Sequence, residues 1–159
     1  MYQPQELLDA RVTFYWRISR LIRLAFFSFP FSIVLFFICL TFSKWWVGVL
    51  IASLYLIQKL VHAVIWPSLE YKHYRFELRE HDMLVQHGVL FRKWSSIPLH
   101  RIQHVDTHQG PLERVVGLVT LQLYTAAGHS SDGSIPGLLE KRATNLREQI
   151  IQKRGDDGV

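Results

Sequence analysis

Twenty consecutive residues, Leu24 to Ser43, read LAFFSFPFSIVLFFICLTFS and carry no charge. A helix rises about 1.5 Å per residue, so a run of this length matches the roughly 30 Å hydrocarbon core of a bilayer. A second apolar run follows from Trp45 to Trp66, with Gln58, Lys59 and His62 near its end. Lys59 stands a few turns before Trp66, where its long stem is expected to let the amine snorkel to the interface. Pro30 interrupts the first run, and transmembrane helices tolerate proline when a nearby hydroxyl serves the freed carbonyl. Ser28 and Ser32 are placed for that role. Residues 24–66 are therefore expected to form a two-helix transmembrane hairpin with a tight turn around Ser43 and Lys44. The first run is too long for the roughly 7–15-residue apolar region of a signal peptide, and no small-x-small cleavage site follows it.

Charge placement orients the hairpin. Four Lys/Arg stand against two Asp/Glu before Leu24, two lysines and no acid fall between Leu24 and Leu69, and twelve Lys/Arg face eleven Asp/Glu from Glu70 on. The net +5 thus lies mostly around the apolar block, and no basic face of the kind that binds nucleic acid is expected. Arg11, Arg17, Arg20 and Arg23, with Lys72 and Arg75, outweigh the lone Lys44 of the turn. The positive-inside rule then puts both termini in the cytoplasm, in a multi-pass protein of the cell membrane. Trp16 and Trp66 at one end and Trp45 and Trp46 at the other suit two aromatic belts. Residues 1–23 read as a cytoplasmic N-terminal segment and the start of the first helix, with RVTFYWRISRLIR, Arg11 to Arg23, continuing that helix into the headgroup layer. The single cysteine, Cys39, lies within the apolar block, so neither a disulfide framework nor a cysteine metal site is expected.

After Pro67 the period of the pattern changes, and residues 70–154 read as a separate domain before a polar tail, 155–159. Tyr74, Phe76 and Leu78 alternate with Arg75, Glu77 and Arg79, as in a half-buried strand. The run MLVQHGVLF follows the turn Glu80-His81-Asp82, with Gly88 marking a bulge or tight bend. Val119, Leu121, Leu123 and Thr125 alternate with Thr120, Gln122 and Tyr124 as another strand. Between them, GPLERVVG opens with Gly110-Pro111 and closes with Gly117, which predicts one or two helical turns. Leu139, Ala143, Leu146 and Ile150 give the stripe of an amphipathic helix that starts after Pro136. Short antiparallel strands closed by one C-terminal helix predict an α+β domain, a small barrel or sandwich with the helix across one open end.

The stretch IPLHRIQHVDTHQGPLERVVGLVTLQLYTAAG, Ile97 to Gly128, carries a resemblance. Pro98, Arg101-Ile102-Gln103, Gln109-Gly110-Pro111, Leu112-Glu113-Arg114, Gly117-Leu118, Leu121 and Gly128 resemble the signature of the bacterial pleckstrin-homology-like membrane proteins of the YdbS type (the bPH2, or DUF304, group). The two-helix anchor ahead of the signature is also that family's arrangement. The resemblance implies a pleckstrin-homology-like fold facing the cytoplasm, and it implies no catalytic residues or agreed ligand. The basic cluster that eukaryotic relatives carry between their first two strands is replaced here by Glu80-His81-Asp82.

Several residues invite a chemical role. His100, His104 and His108 recur every four residues, but Pro98 and the alternation around Ile102 read as extended chain. Four residues of strand span about 13 Å, too far for neighbouring imidazoles to share an ion bound at about 2 Å. Ser95, Ser96, Ser130 and Ser131 lie in no nucleophile elbow, and no glycine-rich phosphate loop is present. Gln109, Glu113 and Arg114 are expected to satisfy the backbone of the short helix or to pair with Arg101, so that Arg101 and Glu113 hold the fold together. Arg92, Lys93 and Trp94 form a basic-aromatic stretch after the second strand, a solvated turn or a contact for anionic headgroups. Lys141, Arg142, Arg147, Glu148 and Lys153 read as solubilising charge on the outer face of the last helix.

The pattern predicts a non-enzymatic membrane protein that needs no cofactor or metal and whose cytoplasmic domain binds a partner protein, either a second copy or a related membrane protein. Anionic-lipid binding is the alternative. Arg92, Lys93, Arg101, Gln103, Glu113 and Arg114 are the candidate binding residues under either reading.

Overall fold

The computed structural model describes residues 4–40, 45–125 and 133–156. The turn at Ser43 and Lys44, the motif glycine Gly128, Ser130 and Ser131, the side chain of Cys39 and the last three residues lie outside that set. Two compact units emerge: one is Trp16–Ser68, and the other joins the chain up to Tyr15 with the chain from Leu69 onward.

In the first unit, helix α1 (Arg11–Arg23) runs through a π turn (Leu24–Ser28) into α2 (Phe29–Leu40), and α3 spans Trp45–His73. Both rods are long and apolar enough to cross a membrane. The π turn has a local cause. Pro30 has no N–H to donate, and the turn before it widens so that the Phe29 N–H reaches the Leu24 carbonyl. The Ser32 hydroxyl donates to the Phe29 carbonyl at 2.7 Å, and not to the Phe26 carbonyl that Pro30 leaves behind. The helices run antiparallel: Arg17 Nε donates to the Val64 carbonyl at 3.2 Å and its Nη2 to Ser68 Oγ at 2.7 Å, while the Phe31 and Tyr55 rings meet 6.0 Å apart. Gly48, Ala52 and Ala63 are the buried positions of α3 besides Pro67, small residues that allow close backbone approach.

Two expectations for α3 are corrected. The helix does not end at Pro67 but continues to His73, with Pro67 buried inside it. Arg17 braces the turn that proline weakens, since its guanidinium bonds Val64 and Ser68 on either side of the missing donor. Lys59 does not snorkel toward Trp66. Its Nζ lies 5.4 Å from the centre of the Tyr55 ring, one turn the other way, because helical side chains lean toward the N-terminus.

The second unit contains two three-stranded antiparallel sheets, ordered β1-β2-β3 and β4-β5-β6, and no closed barrel. The strands are β1 (Arg75–Leu78), β2 (Asp82–His87), β3 (Lys93–Pro98), β4 (Ile102–His108), β5 (Leu118–Thr125) and β6 (Gly133–Leu139). A 3-10 turn, Leu99–Arg101, makes the corner between the sheets, and α4 (Pro111–Val116) joins β4 to β5. Alternation places Phe76, Met83, Val85, Ile97, Leu121, Leu123 and Ile135 in the core. Helix α5 (Glu140–Asp156) buries Ala143, Leu146 and Ile150 against β4, β5, β6 and the corner turn. Strand β6 was not expected. The helix begins at Glu140 instead of just after Pro136, so Leu139 is an exposed strand end and not part of the helical stripe. The helix also runs on through Asp156, into the tail read as polar coil.

The helix expected over Arg11–Arg23 is present and continuous with the first apolar run, whereas the arm formed by the residues before it was not expected. Glu6 exchanges two backbone hydrogen bonds of 3.1 Å with Phe76, adding a short rung to β1. The Asp9 N–H donates to the Gly137 carbonyl at 3.1 Å, and the Asp9 carboxylate caps α1 at the Arg11 N–H, 2.9 Å away. Leu8 and Val12 are buried. Gly137, at φ +67, leaves room for this arm, since a Cβ there would stand 2.4 Å from Val12 Cγ2. Arg142 completes the seat with a 2.7 Å ion pair to Glu6. The sequence on each side of the hairpin thus contributes to one core.

Candidate functional site

Two adjacent, strongly exposed apolar residues of the second unit are at the tip of the β2–β3 hairpin, whereas Val115 on α4 is exposed singly. His87 pairs with Lys93 in register, which leaves Gly88–Arg92 as the loop, and Gly88 at φ +106 starts the reversal. The strand read through MLVQHGVLF therefore ends at His87. Leu90 is 76% exposed and Phe91 is 91% exposed. Arg92 and Lys93 beside them are exposed as well, and Lys93 opens the return strand with Trp94 next in it. Burying a side chain such as Leu or Phe is worth about 1.5–3 kcal/mol each. A fold that leaves two of them outside on a tight loop keeps that free energy available for another surface.

Beside the hairpin, Tyr74, His87, Lys93, Ser95 and Ser134 line a groove of about 360 Å³. The Tyr74 hydroxyl donates to the Ser134 carbonyl, and its ring stacks on His87 with centroids 6.0 Å apart. Burial pushes the Tyr74 phenol well above its ordinary range, so it remains a neutral donor. His87 is pulled below its usual value, first by burial and then by the Lys93 ammonium, with Glu70 opposing. Neutral imidazole is the favoured form, and the arrangement lacks a nucleophile held beside a base.

The motif region is held by Glu113. It is 4% exposed; one carboxylate oxygen accepts the Gly110 N–H at 2.7 Å and the other accepts the Thr120 hydroxyl at 2.7 Å. This is the reaching-back half of a capping box, with glycine at the cap and Pro111 at the first helical position. Gln109 Nε2 donates to the Leu118 carbonyl at 2.9 Å, and Gly117 closes the helix at φ +72. The backbone role expected of Gln109 and Glu113 is present, but Arg101 is not their partner. Arg101 is exposed on the corner turn before β4, whereas α4 follows the far end of that strand. Gln103 and Arg114 are also exposed, and the Gln103 carbonyl accepts Arg154 Nη1 at 2.7 Å. The six candidate residues do not form one site. Arg92 and Lys93 belong to the hairpin, Arg101 and Gln103 to the start of β4, and Glu113 and Arg114 to α4.

The histidines separate similarly. His100 is exposed in the 3-10 turn, so the chain is not extended there; His104 stacks on Tyr124 at 4.5 Å, and His108 ends β4. Among the described residues no three His, Cys, Asp or Glu side chains gather around a point that could hold a metal.

The sequence reading missed the arm and its seat, and it gave two cations of the last helix the wrong role. Lys153 Nζ donates to the Arg79 carbonyl at 3.0 Å and Arg142 pairs with Glu6, so neither is plain solubilising charge. Arg154 also donates to the Ile102 carbonyl at 3.1 Å, so the final turn of α5 ties both sheets. Basic residues at a helix C-terminus were the one available signal.

Two spanning-length helices joined to a bent pair of antiparallel sheets with a closing helix define a membrane-anchored pleckstrin-homology-like protein. The chain belongs to the bacterial PH domain family bPH_2, whose sequence model matches residues 19–154. It is similar to the UPF0699 transmembrane protein YdbS of Bacillus subtilis (strain 168), with 33% identity over 117 residues, 72% of each chain. No solved structure matches it.

Proposed function

We propose that this protein is a non-enzymatic interaction module of the cell membrane, and that its sheet domain docks another protein through the β2–β3 hairpin tip. A second copy of the chain or a related membrane protein is the partner this reading names. The observation that carries it is the pair Leu90 and Phe91, 76% and 91% exposed on a loop that the core does not need. Apolar and aromatic anchors of this kind supply most of the affinity in protein interfaces. Arg92 and Lys93 supply the polar flank of the tip, while Arg101, Gln103 and Arg114 are exposed on other elements and buried Glu113 supports α4 from inside. The domain is taken as residues 70–154 completed by the arm, and the anchor as residues 24–66.

Two features support a multi-pass topology with both ends in the cytoplasm. An arm before the first span and a domain after the second can share a core only when both leave the bilayer on one face. The arginines preceding Leu24 favour the inside for that face.

The test is a photoreactive amino acid at position 89, in the same loop, of the full chain in native membranes. Crosslinking to a protein, lost when Leu90 and Phe91 are both changed to Ser, is the expected outcome. Arg92 and Lys93 favour the second reading, in which the tip enters an anionic bilayer. That reading takes over when the crosslink goes only to lipid and weakens with salt.

A further inference from the structure

The hairpin carries a cleft of its own. Arg20 and Arg23 of α1, Phe27 of the π turn, and Lys59 and His62 of α3 line a space of about 520 Å³. Antiparallel packing brings these groups together. Arg17 is bonded to Val64 and Ser68, and Phe31 faces Tyr55, so the intervening turns place Arg20 and Arg23 opposite Lys59 and His62. On α3 the cationic end is framed by rings: Lys59 over Tyr55 at 5.4 Å, and His62 stacked on Trp66 at 4.9 Å.

From Trp16 to Leu69 the sequence contains no Asp or Glu, so no carboxylate of this unit can neutralise the cleft. Cations at the margin of a hydrocarbon layer are costly unless an anion meets them. The lining is also partly apolar, with Leu24 and Phe27, and Phe27 and its chain neighbour Phe26 are 75% and 74% exposed, a surface suited to an acyl chain and not to water.

The geometry points to a binding site for the phosphodiester of an anionic phospholipid, with the headgroup among Arg20, Arg23 and Lys59 and an acyl chain along Phe26 and Phe27. Guanidinium forks match the two free oxygens of a phosphodiester, and Lys59 adds a point charge from the facing helix. The site lies wholly in the membrane unit and does not depend on what the hairpin tip binds.

Native mass spectrometry of the full chain, released from micelles doped with phosphatidylglycerol or phosphatidylcholine, tests the site. Phosphatidylglycerol should be retained preferentially. Each cation near an anionic lipid surface is worth about fivefold in affinity, so Arg23→Gln with Lys59→Gln should weaken retention about 25-fold. Lys141→Gln with Arg147→Gln, exposed charges of α5 outside the cleft, should leave retention unchanged. Equal retention of the two lipids, loss on changing Lys141 and Arg147, or displacement of the lipid by millimolar inorganic phosphate would overturn the assignment. The unaltered chain gives a readout that no variant can spoil by misfolding. Phosphatidylglycerol with a photoreactive headgroup should label peptides containing Arg20–Ser28 or Lys59–His62, and labelling confined to other peptides defeats the proposal.

Discussion

Glu113→Ala tests most directly what holds the motif region together. The carboxylate is 4% exposed and accepts two hydrogen bonds, from the Gly110 N–H and the Thr120 hydroxyl, each at 2.7 Å. Truncation orphans both half-buried donors, the first of them the reaching-back half of the capping box, at about 1.5–2.5 kcal/mol each. A total of roughly 3–5 kcal/mol is a large part of the 5–15 kcal/mol that holds an ordinary domain together. At about 4–8 °C per kcal/mol for a domain of this size, the sheet domain should melt at least about 12 °C lower. Arg101→Ala removes an exposed side chain and should cost less than about 0.5 kcal/mol. Glu113→Gln keeps the shape and one acceptor, so it should fall between them. The assay is thermal unfolding of the full chain in detergent, followed by circular dichroism at the β-sheet signal. Glu113→Ala and Arg101→Ala melting together would refute the reasoning, because burial and bonding separate those residues so sharply.

Gly137→Ala should dislodge the N-terminal arm: it adds a left-handed penalty of about 1–2 kcal/mol to a Cβ 2.4 Å from Val12 Cγ2. Combined with Val12→Gly it should cost less than the sum of the single changes, and strict additivity in melting temperature would rule out the clash. His87 has a folded pKa below its unfolded value, so above about pH 6.5 both states are neutral and its contribution is intact. As pH falls below that value the unfolded chain takes up the proton first, so stability should drop as the pH is lowered from about 6.5. His87→Gln should flatten that part of the pH profile, and an unchanged slope would acquit His87. In a Cys39→Ser background, a membrane-impermeant thiol reagent added outside cells should label Ser43→Cys and miss Thr144→Cys; the reverse would invert the topology.

What the sequence made legible was periodic. The uncharged run from Leu24, the alternation at Phe76 and Leu121, and Gly110-Pro111 with Gly117 around a short helix each follow from local spacing. The misreadings came from partners that spacing does not name. Arg101 and Glu113 are both charged and both in the motif, but only the strand between them decides that they cannot meet. Leu8 and Val12 look like two stray apolar residues in a polar segment until Phe76 and Gly137 are beside them. Strand β6 contains Pro136 and two glycines, a composition that argues against a strand, and it forms because β5 offers a ladder and α5 covers the far side. Pro67 reads as a helix end, and tertiary bonds from Arg17 override it. At the hairpin tip the residues were noticed for their charge, whereas exposure shows that Leu90 and Phe91 are the more unusual pair.

The arm that closes on β1 and Gly137 also sets an order of events during synthesis. It is made before either span, yet the Arg142 that grips Glu6 follows 136 residues later. At ordinary translation rates that is a delay on the order of ten seconds. Throughout it Leu8 and Val12 have no seat, so the sheet domain cannot reach its final packing until both helices are inserted. A chain that inserts only one span strands the arm on the opposite face from Phe76 and Gly137. It then keeps two apolar side chains uncovered and leaves β1 with a bare edge. Under the proposed two-span topology, completion of the core would report that both helices have gone in, and a miswired chain would keep those apolar surfaces exposed.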